Sequence, residues 1–343
     1  MQAIIYILHS GNLYGTERMA LATMTGLKQQ GRGMLLAPPG PVHAEAARLG
    51  LASRPFSSPA RLSRCLLHEL KAHRQLNLVA TGVSHSLIAQ ALAWTRRCRI
   101  RHVHVVHGGT DERLSYGRKA LLDRLPITLV AVSGFVRERL LAHGCRDQRI
   151  TVVENFLPNP PDRRRDPASI TPIRRVAMIS RLDPIKRVHL LIEAIEREPE
   201  LRGIQFEIFG QGSEYESLRA RSQAMPNLVL HGFQPDAADR LADFDLLLHT
   251  CAEEPFGLAI LEAMTSGIPV LVPNAGGAGS LVTDGHTGFH FPANCSGGLA
   301  NRLVELKAMA PARLHEVIES ARHAMKTRFA PARGLAQYAS LLA

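Results

Sequence analysis

Apolar positions along the chain fall into short continuous runs that alternate with longer segments of helical periodicity. In the first half, the runs predict strands near residues 3–8, 33–37, 77–81, 102–106 and 127–132. The periodic segments between them predict helices near residues 16–30, 42–49, 61–74, 85–95 and 134–143. Because apolar strands that alternate with helices are typical of βαβ units, this half is predicted to form a parallel sheet covered by helices.

The same alternation starts again in the second half of the chain. Strands are predicted near residues 175–179, 204–209, 228–231, 245–249, 269–272 and 288–291, and helices near 187–197, 213–223, 236–242, 257–266 and 297–308. Between the halves, residues 155–167 contain four prolines and five charges, which cannot continue a helix or a central strand. We predict two domains, residues 1–160 and 170–325, joined by this linker, with a last helix over about 325–343 that packs back on the first domain.

The predicted fold class is α/β, with two doubly wound Rossmann-like domains that face each other across a cleft. A chain of 343 residues is long enough for two separate cores. In doubly wound sheets ligands bind outside the carboxyl ends of the strands, so the site is expected at those ends.

The composition and the apolar runs of the chain indicate the cellular compartment of the protein. No apolar run approaches the roughly 18 residues that span a bilayer, and residues 1–8 lack a basic leading region, so they are interpreted as a strand and not a signal peptide. The five cysteines are scattered and form no CxxC pair, which argues against a disulfide or zinc framework. These features predict a cytoplasmic protein.

Charge is distributed unevenly along the chain. Residues 1–170 carry 24 Lys and Arg against 11 Asp and Glu, a balance of +13, whereas residues 171–343 carry 17 against 19, a balance of −2. A basic surface attracts phosphate-bearing partners such as anionic lipid headgroups or a lipid-linked acceptor, although a biased genome composition would also produce it. No helix-turn-helix, zinc-finger or RNP pattern accompanies the charge, so nucleic acid is not a predicted partner.

One predicted helix combines this charge with an apolar face. The helix near residues 61–74 is a candidate membrane-docking element, and the alternative is an ordinary domain helix with a solvated basic face. Its basic residues are Arg61, Arg64, Lys71 and Arg74, and its leucines are Leu62, Leu66, Leu67 and Leu70.

Two acidic residues in the second half frame the most informative segment. Glu254 follows the predicted strand 245–249 on a loop, and Glu262 lies about one turn into the next helix. The free N–H groups at the start of that helix suit a diphosphate. A loop carboxylate beside them can accept hydrogen bonds from sugar hydroxyls, and a helix carboxylate can bind a ribose diol. The alternative is a surface glutamate and a helix acid that stabilises the helix dipole.

A pair of cations follows the predicted strand 175–179. Arg181 and Lys186 lie together at the carboxyl end of that strand, where they can offset the negative charge on a diphosphate leaving group. These cations would take the place of a divalent metal, and no metal or other cofactor is predicted. The alternative is an unrelated pair of surface cations.

With these residues in place, the chain resembles family 4 of the GT-B glycosyltransferases. The hallmark of that family, Glu-x7-Glu, is matched by Glu254 and Glu262. Further matches, in chain order, are residues 11–18, 132–133 with 150–155, 181–186, 209–212 and 276–288. The resemblance covers almost the whole chain. It implies a retaining glycosyltransferase that needs no metal and uses a nucleotide-diphosphate sugar as donor.

The resemblance also implies a role for individual residues. The backbone at Gly15 would approach the donor phosphates, which Arg181 and Lys186 would bind. Glu254 would hold hydroxyls of the transferred sugar beside the backbone amides of Phe256, Gly257 and Leu258, while Glu262 would bind the ribose and the backbone near Gly210 the nucleoside.

A histidine-rich strand ends at His107. This residue matches the strand-end histidine of the family, which would lie by the sugar and steady the transition state; a packed core histidine is the alternative. For His102 and His104, which share one face of the strand, the core interpretation is preferred. No third ligand lies near them in the sequence, so no metal site is predicted there.

Several positions depart from the family pattern. After Gly276 and Gly277 the chain reads Ala278-Gly279-Ser280, where the family usually has a Pro-Glu pair, so a carboxylate that often faces the donor is missing. Phe156 replaces a glycine of the family, and the Gly-Gly-Ala loop is replaced by Tyr14-Gly15-Thr16. These departures leave the identity of the sugar open.

The resemblance implies an acceptor that is a glycan or a lipid-linked glycan. Its usual setting is lipopolysaccharide, capsule or exopolysaccharide biosynthesis on the cytoplasmic face of the inner membrane. Two other functions stay open, a non-catalytic nucleotide-sugar sensor or scaffold and a nucleotide-sugar 2-epimerase. A dinucleotide oxidoreductase is disfavoured, since no G-x-G-x-x-G opens a helix after strand 3–8.

Overall fold

A computed structural model describes residues 2–28, 31–73, 75–109, 112–166, 169 and 172–343. The chain divides into two compact units. Unit 1 comprises Met1–Pro158 and Pro331–Ala343, and unit 2 comprises Asn159–Ala330. Two residues of our predictions, Arg74 and Pro167, lie outside the described residues. None of the described helices is long and apolar enough to cross a bilayer.

Unit 1 is built on a parallel sheet whose strand order is β3-β2-β1-β4-β5-β6-β7. The strands are β1 (Gln2–Ile7), β2 (Gly31–Ala37), β3 (Ala52–Pro55), β4 (Gln75–Ala80), β5 (Arg99–Val106), β6 (Ile127–Ala131) and β7 (Ile150–Val152). Its helices are α1 (Gly15–Gly26), α2 (Val42–Arg48), α3 (Pro59–Ala72), α4 (Val83–Thr95), α5 (Glu112–Ser115), α6 (Ala120–Asp123), α7 (Gly134–Ala142) and the last helix, α14 (Pro331–Leu342). The five predicted strands of this half are confirmed.

Unit 2 repeats the architecture with a parallel sheet in the order β10-β9-β8-β11-β12-β13. Its strands are β8 (Arg175–Ile179), β9 (Gln205–Phe209), β10 (Leu228–Gly232), β11 (Leu246–Leu248), β12 (Val270–Pro273) and β13 (Phe289–Phe291). Its helices are α8 (His189–Arg197), α9 (Tyr215–Ser222), α10 (Leu258–Ser266), α11 (Gly276–Leu281), α12 (Ser296–Lys307) and α13 (Pro311–Lys326). The predicted α/β class with two doubly wound, Rossmann-like units is confirmed.

Each sheet buries apolar side chains from both strand and helix. In unit 1, Ile5, Ile7 and Leu78 from adjacent central strands pack in one core with Leu62 and Leu66 of α3. Burial of such side chains is the dominant favourable term in folding. Leu62, Leu66 and Leu70 of α3 therefore face the core, and only Leu67 is partly exposed, so the proposed use of the apolar face of α3 for membrane docking is wrong. Its basic residues Arg61, Arg64 and Lys71 are exposed.

The last helix contacts the first unit. The side-chain amide of Asn77 on β4 donates a 2.7 Å hydrogen bond to the carbonyl oxygen of Leu342. α14 packs against β5 and α1, and Gly26 of α1 lies so close to Leu335 that a Cβ there would come within 2.4 Å of it. These contacts explain why residues 331–343 cluster with unit 1.

The segment that we expected to be a linker is bound to one unit or the other over most of its length. Asn155, Phe156 and Leu157 are buried in unit 1. Arg163 pairs with Asp243 and Arg165 with Asp245, at 2.6 and 2.7 Å, so both arginines belong to unit 2. The boundary between the units, at Pro158 and Asn159, lies within the linker predicted over residues 155–167, and these contacts attach the two parts of that segment to the adjoining units.

One further element differs from its prediction. The helix expected near residues 236–242 is instead a 3₁₀ segment, Asp239–Asp243. It begins and ends in polar residues and buries Leu241, so one apolar anchor is not enough to extend it into an α-helix.

Candidate active site

The carboxyl edge of the unit 2 sheet gathers the predicted charged residues. The strand order reverses between β8 and β11, and the loops after these neighbouring strands open a crevice there. Arg181 and the 3₁₀ turn Pro184–Lys186 follow β8, and His249 and Glu254 follow β11. Thr250 ties the two loops together, because its hydroxyl donates a 2.7 Å hydrogen bond to the carbonyl oxygen of Lys186.

Lys186 and Glu254 form a partly buried ion pair at this edge. Lys186 Nζ donates to Glu254 Oε2 at 2.6 Å, and both side chains are about 15% exposed. Burial alone would lower the pKa of Lys186, but the Glu254 carboxylate outweighs it and the pKa is raised. Burial would likewise raise the pKa of Glu254, but Lys186 and then His249 hold it well below its usual range. Both groups are therefore charged at neutral pH.

Two residues that the sequence analysis did not single out complete this cluster. Nε2 of His249 lies 3.3 Å from Glu254 Oε2, although its orientation does not make a directed hydrogen bond. Cys251 is buried, and burial raises the pKa of its thiol to about 11. Their position three to five residues before Glu254, at the end of a strand, was the only available signal in the sequence.

The same three residues are the one metal-type group among the described parts of the chain. One ligand atom each from His249, Cys251 and Glu254 lie within 4.8 Å of one another, and the donor types are those that bind zinc. A metal ion there would have to displace the Lys186 ammonium from the carboxylate and remove the proton of a thiol whose pKa burial has raised. The arrangement favours an ammonium over a metal as the partner of Glu254.

A second layer of charge flanks the pair. Arg187 lies in the left-handed region, with φ 53°, and pairs with Glu253 at 2.7 Å. Arg181 is more than half exposed and pairs with Asp183 at 2.7 Å, while Asp183 also accepts from Ser213. Arg181 and Lys186 therefore share one edge, and the exposed Arg181 is free to exchange its surface carboxylate for a ligand.

The start of α10 lies directly after Glu254. Gly257 is the N-cap residue in a left-handed conformation, with φ 102°, and no side chain caps the helix. The N–H groups of the first turn, beginning at Leu258, are thus unsatisfied by any cap, which suits an anion. Phe256 is buried, and Glu262, the fifth residue of α10, is 4% exposed. The predicted placement of Glu254 on a loop and Glu262 in the following helix is confirmed.

Glycines let the surrounding backbone approach this edge. Gly210 has φ 152°, and a Cβ at this position would come within 1.8 Å of the Ser180 carbonyl oxygen. At Gly276 and Gly277 a Cβ would come within 2.4 Å of Ala252 and 2.2 Å of Pro255, and Gly277 N–H donates to the Glu254 carbonyl at 2.6 Å. These residues hold the Glu254 loop against α11.

The missing carboxylate at position 280 is not replaced by another acid there. The Ser280 hydroxyl donates a 2.7 Å hydrogen bond to the Gly277 carbonyl within α11. Asp284, the next acid along the chain, pairs with Arg302 and accepts from His290 N–H. Among the described residues, neither position 280 nor Asp284 therefore provides a carboxylate that is available to a ligand.

The other predicted residues belong to unit 1. Gly15 is the first residue of α1 and is exposed, and the preceding N–H of Tyr14 donates to Glu17 at 3.0 Å. His107 follows β5, which is the neighbour of β4, and the order of this sheet reverses between β4 and β1. Both residues therefore lie at the carboxyl edge of the unit 1 sheet, as predicted from their position after strands.

His107 differs from the two histidines before it. Its Nε2 is buried without a hydrogen-bond partner in the described chain, and burial, reinforced by His9, lowers its pKa to about 3. His102 and His104 both bond to the Ser86 hydroxyl, at 3.1 and 2.8 Å, and are almost fully buried. The core interpretation of these two is confirmed, although Nε2 of His104 also has no hydrogen-bond partner among the described residues. His107 differs in being only partly buried, and it keeps a ring nitrogen available as a neutral donor or acceptor.

A buried lysine near this edge escaped the sequence analysis. Lys119 is 8% exposed, and its ammonium donates a 2.9 Å hydrogen bond to the Leu114 carbonyl. Burial lowers its pKa to about 8, and its charge lowers the pKa values of His9 and His104. It lies in a short 3₁₀ turn with no periodic pattern, so the sequence offered no signal for its burial.

Family models cover nearly the whole chain. One, described as Glycosyltransferase Family 4, matches residues 14–179, and another, described as Glycosyl transferases group 1, matches residues 162–324. The second match contains Arg181, Lys186, Glu254 and Glu262 in the spacing described above. This chain belongs to the family 4 glycosyltransferases.

Curated relatives and solved structures agree with that family. A GDP-mannose-dependent α-mannosyltransferase from Mycobacterium tuberculosis is 32% identical over 60% of this chain and 52% of its own length. An N-acetyl-α-D-glucosaminyl L-malate synthase from Bacillus anthracis is 27% identical over 48% of this chain and 43% of its own. This glycosyltransferase family member thus spans about half the length of the curated relatives it matches.

The fold is shared by structures of much lower identity. HepE from Anabaena, solved with UDP and glucose, matches with a TM-score of 0.82 at 20% identity, over 100% of this chain and 99% of that one. The lipopolysaccharide outer core galactosyltransferase WaaB in its apo form matches with a TM-score of 0.75 at 16% identity, over 99% of each chain. At these identities the likeness establishes the fold of the family 4 chain.

Proposed function

We propose that this chain is a retaining glycosyltransferase that moves a sugar from a nucleotide-diphosphate sugar onto a glycan or lipid-linked acceptor. The observation that carries the proposal is the Lys186–Glu254 pair at 2.6 Å, set at the switch point of unit 2 beside the uncapped start of α10. An ammonium, a helix N-terminus and an ionised carboxylate together are the groups that a sugar diphosphate requires.

Each group has a distinct task in the proposed reaction. Lys186, Arg181 and the first-turn amides of α10 bind the diphosphate and stabilise the charge that develops on it as the bond to the sugar breaks. Glu254 remains ionised and so acts only as a hydrogen-bond acceptor for sugar hydroxyls. Glu262 binds the ribose, and the exposed ring of Phe233, 70% exposed beside Gly232, offers a face for the base.

The proposed chemistry is a front-face displacement. The bond between the anomeric carbon and the diphosphate oxygen breaks, the acceptor oxygen bonds to that carbon from the same face, and the acceptor proton passes to the leaving phosphate. Glu254 is held by Lys186 and does not serve as a covalent nucleophile. His107, neutral because burial lowers its pKa to about 3, steadies the sugar through its unpartnered Nε2 or its own carbonyl.

No metal is required in this proposal. Lys186 is a fixed positive charge beside Glu254, and it takes the place of the divalent ion that would otherwise neutralise a diphosphate. Activity is therefore expected to survive incubation with EDTA unchanged.

We further propose a role in surface-glycan assembly, such as lipopolysaccharide, capsule or exopolysaccharide, at the cytoplasmic face of the inner membrane. Two observations support it: the +13 balance over residues 1–170, and the fold shared with a lipopolysaccharide galactosyltransferase. The basic half suits an anionic or lipid-linked acceptor.

The test is release of nucleoside diphosphate from a panel of UDP- and GDP-sugars by wild type, Glu254→Gln and Glu253→Gln. Glu254→Gln is expected to lower kcat by about 10²–10³, because the carboxylate interacts with the reacting sugar. Glu253→Gln removes the neighbouring, half-exposed acid and is expected to stay within about twofold.

Other outcomes would select a different function. Formation of an isomeric nucleotide sugar without acceptor would indicate the 2-epimerase. Donor binding without any turnover, with or without a membrane glycolipid extract, would indicate a sensor or scaffold. Equal losses in the two variants would place the chemistry away from Glu254.

A further inference from the structure

Helix α4 carries no charged residue although one face of it is open to solvent. Its sequence from Val83 to Thr95 contains no Asp, Glu, Lys or Arg. Ser86, Ala89 and Ala93 form its buried face. Surface helices normally place charged residues on the opposite face, so α4 departs from the usual amphipathic pattern.

The exposed positions of α4 form an apolar stripe. Leu87, Ala91 and Trp94 follow one another at intervals of four and three residues, which places them on one face of the helix, and all three are exposed. Trp94, the single tryptophan of the chain, is 86% exposed. α6 packs against α4 and adds Leu121, which is 59% exposed. Clustered large apolar side chains on a surface mark an interaction site.

Basic residues follow this stripe directly. Arg96 and Arg97 follow the helix, with Arg97 in the left-handed region at φ 52°. Arg99 and Arg101 lie on the adjoining strand β5, whose His102 and His104 face α4, so these two arginines point to the opposite face of the sheet. All four are exposed, and none forms an ion pair with another described residue. Some arginines elsewhere in the same unit are compensated, such as Arg137 by Asp147 and Arg146 by Asp123.

We propose that the outer face of α4, with Arg96 and Arg97 at its end, docks unit 1 on an anionic bilayer surface. Tryptophan is enriched at the membrane–water interface because its ring is apolar and its N–H is polar, and arginines beside it are attracted by negative headgroups. This surface takes the place of α3, three of whose four leucines are buried. The docking gives the proposed transferase access to lipid-linked acceptors, and in that sense it rests on the proposed function.

A second copy of the chain fits this surface less well. A two-fold contact between copies is isologous, so Arg96 and Arg97 of each copy would come together. Like charges brought face to face oppose association, whereas an anionic bilayer offers the opposite sign. Charge complementarity therefore selects the lipid surface.

The single tryptophan makes the test direct. Wild-type protein is mixed with vesicles of phosphatidylglycerol and phosphatidylcholine, and with vesicles of phosphatidylcholine alone, while Trp94 emission is recorded. A shift to shorter wavelength with the anionic vesicles alone, reversed at high salt, is the expected result, because the salt screens the arginines. Absence of a shift would overturn the proposal, as would a shift that follows protein concentration without vesicles, which would indicate self-association.

Matched variants locate the contact by vesicle co-sedimentation. Arg96→Gln with Arg97→Gln is expected to lower affinity by roughly 25-fold, at about fivefold for each charge near the surface. Arg61→Gln with Arg64→Gln on α3 removes the same charge from another exposed helix and is expected to change affinity much less. Trp94→Ala is expected to weaken binding by about tenfold or more. Equal losses of affinity in the two double variants would show that only the net charge of the protein matters, and would overturn the proposed surface.

The donor site provides an independent control. Stabilisation by nucleoside diphosphates reports on unit 2 and needs no membrane, so it is measured on the same samples. Vesicle binding without nucleotide binding would contradict the proposed transferase function and support the docking surface. Nucleotide binding without vesicle binding would support the transferase function and contradict the docking surface.

Discussion

At the scale of single residues, the Lys186–Glu254 pair is better explained by ligand binding than by stability. A buried ion pair adds little net stability, because desolvation of both charges offsets their attraction. Here each charge keeps the other ionised at the edge of a crevice, despite burial that opposes both. The free site is thereby prepared with a cation for phosphate and an acceptor for hydroxyl groups, and no proton has to move when a donor binds.

Lys119 presents the opposite case, a buried ammonium that the described carboxylates do not neutralise. We predict that Lys119→Met raises the free energy of unfolding by about 1–3 kcal/mol at pH 7, since it removes a desolvated charge. The measurement is urea unfolding at pH 7, with Lys71→Met as the control. Lys71 is an exposed lysine of the same unit, and its substitution is expected to change stability by less than about 0.5 kcal/mol.

The pH dependence of the Lys119 effect follows from its lowered pKa. Between about pH 8 and the ordinary lysine value of 10.5, the unfolded chain holds a proton that the folded chain has lost. The contribution of Lys119 to the free energy of unfolding of the wild type therefore rises with pH through that window. The difference in free energy of unfolding between Lys119→Met and the wild type becomes smaller over the same range. An advantage that is constant from pH 7 to 10 would contradict the assigned burial cost.

At the scale of elements, the sequence predicted best where burial was periodic or continuous. The central strands are apolar runs because both sheet faces are covered, and they were all found. Edge strand β3 was missed because it is largely exposed and contains Pro55, and β7 because it has three residues. The helix α13 did carry a signal that was overlooked, with Leu314, Val317, Ile318 and Ala321 spaced for one buried face.

The residues of the candidate site were likewise predicted only where the sequence carries a local pattern. Glu254, Glu262, Arg181 and Lys186 were found because they fall in a motif after predicted strands. The ion pair between two of them, and the additions of His249 and Lys119, depend on which loops the sheet order brings together. Sequence spacing does not encode that order, since β8 and β11 are neighbours in the sheet while β9 and β10 lie between them in the chain.

The glycine that packs β9 against the β8 loop offers a prediction at this scale. Gly210→Ala is expected to lower the free energy of unfolding by about 2–4 kcal/mol and to weaken nucleotide binding, because its Cβ would meet the Ser180 carbonyl at 1.8 Å. Gly134→Ala, at the exposed first turn of α7 with no atom within 4 Å, is the control and is expected to be neutral or slightly stabilising. Thermal unfolding with and without nucleotide distinguishes them; equal stability of the two variants would contradict the close packing.

At the scale of the whole molecule, charge and chemistry divide between the two units. The excess of positive charge lies in residues 1–170, where the arginines after α4 are exposed and form no ion pair with another described residue. Some exposed arginines of unit 2, such as Arg163 and Arg221, are compensated by acids. This division matches a chain in which unit 2 binds a small anionic donor through a few placed groups. In the proposed function, unit 1 instead presents a broad basic surface to the acceptor and to the membrane that carries it.

The most direct test of this account is a thermal-shift comparison with UDP, GDP, ADP and CMP on wild type, Glu262→Gln and Glu253→Gln. One nucleoside diphosphate at about 100 times its Kd should stabilise wild type and Glu253→Gln by roughly 2.7 kcal/mol, a shift of several degrees. Glu262→Gln should lose most of that shift, because the ribose contact is removed. If none of the four nucleotides stabilises the wild type, or if Glu262→Gln keeps the full shift, the donor site assigned to unit 2 is contradicted.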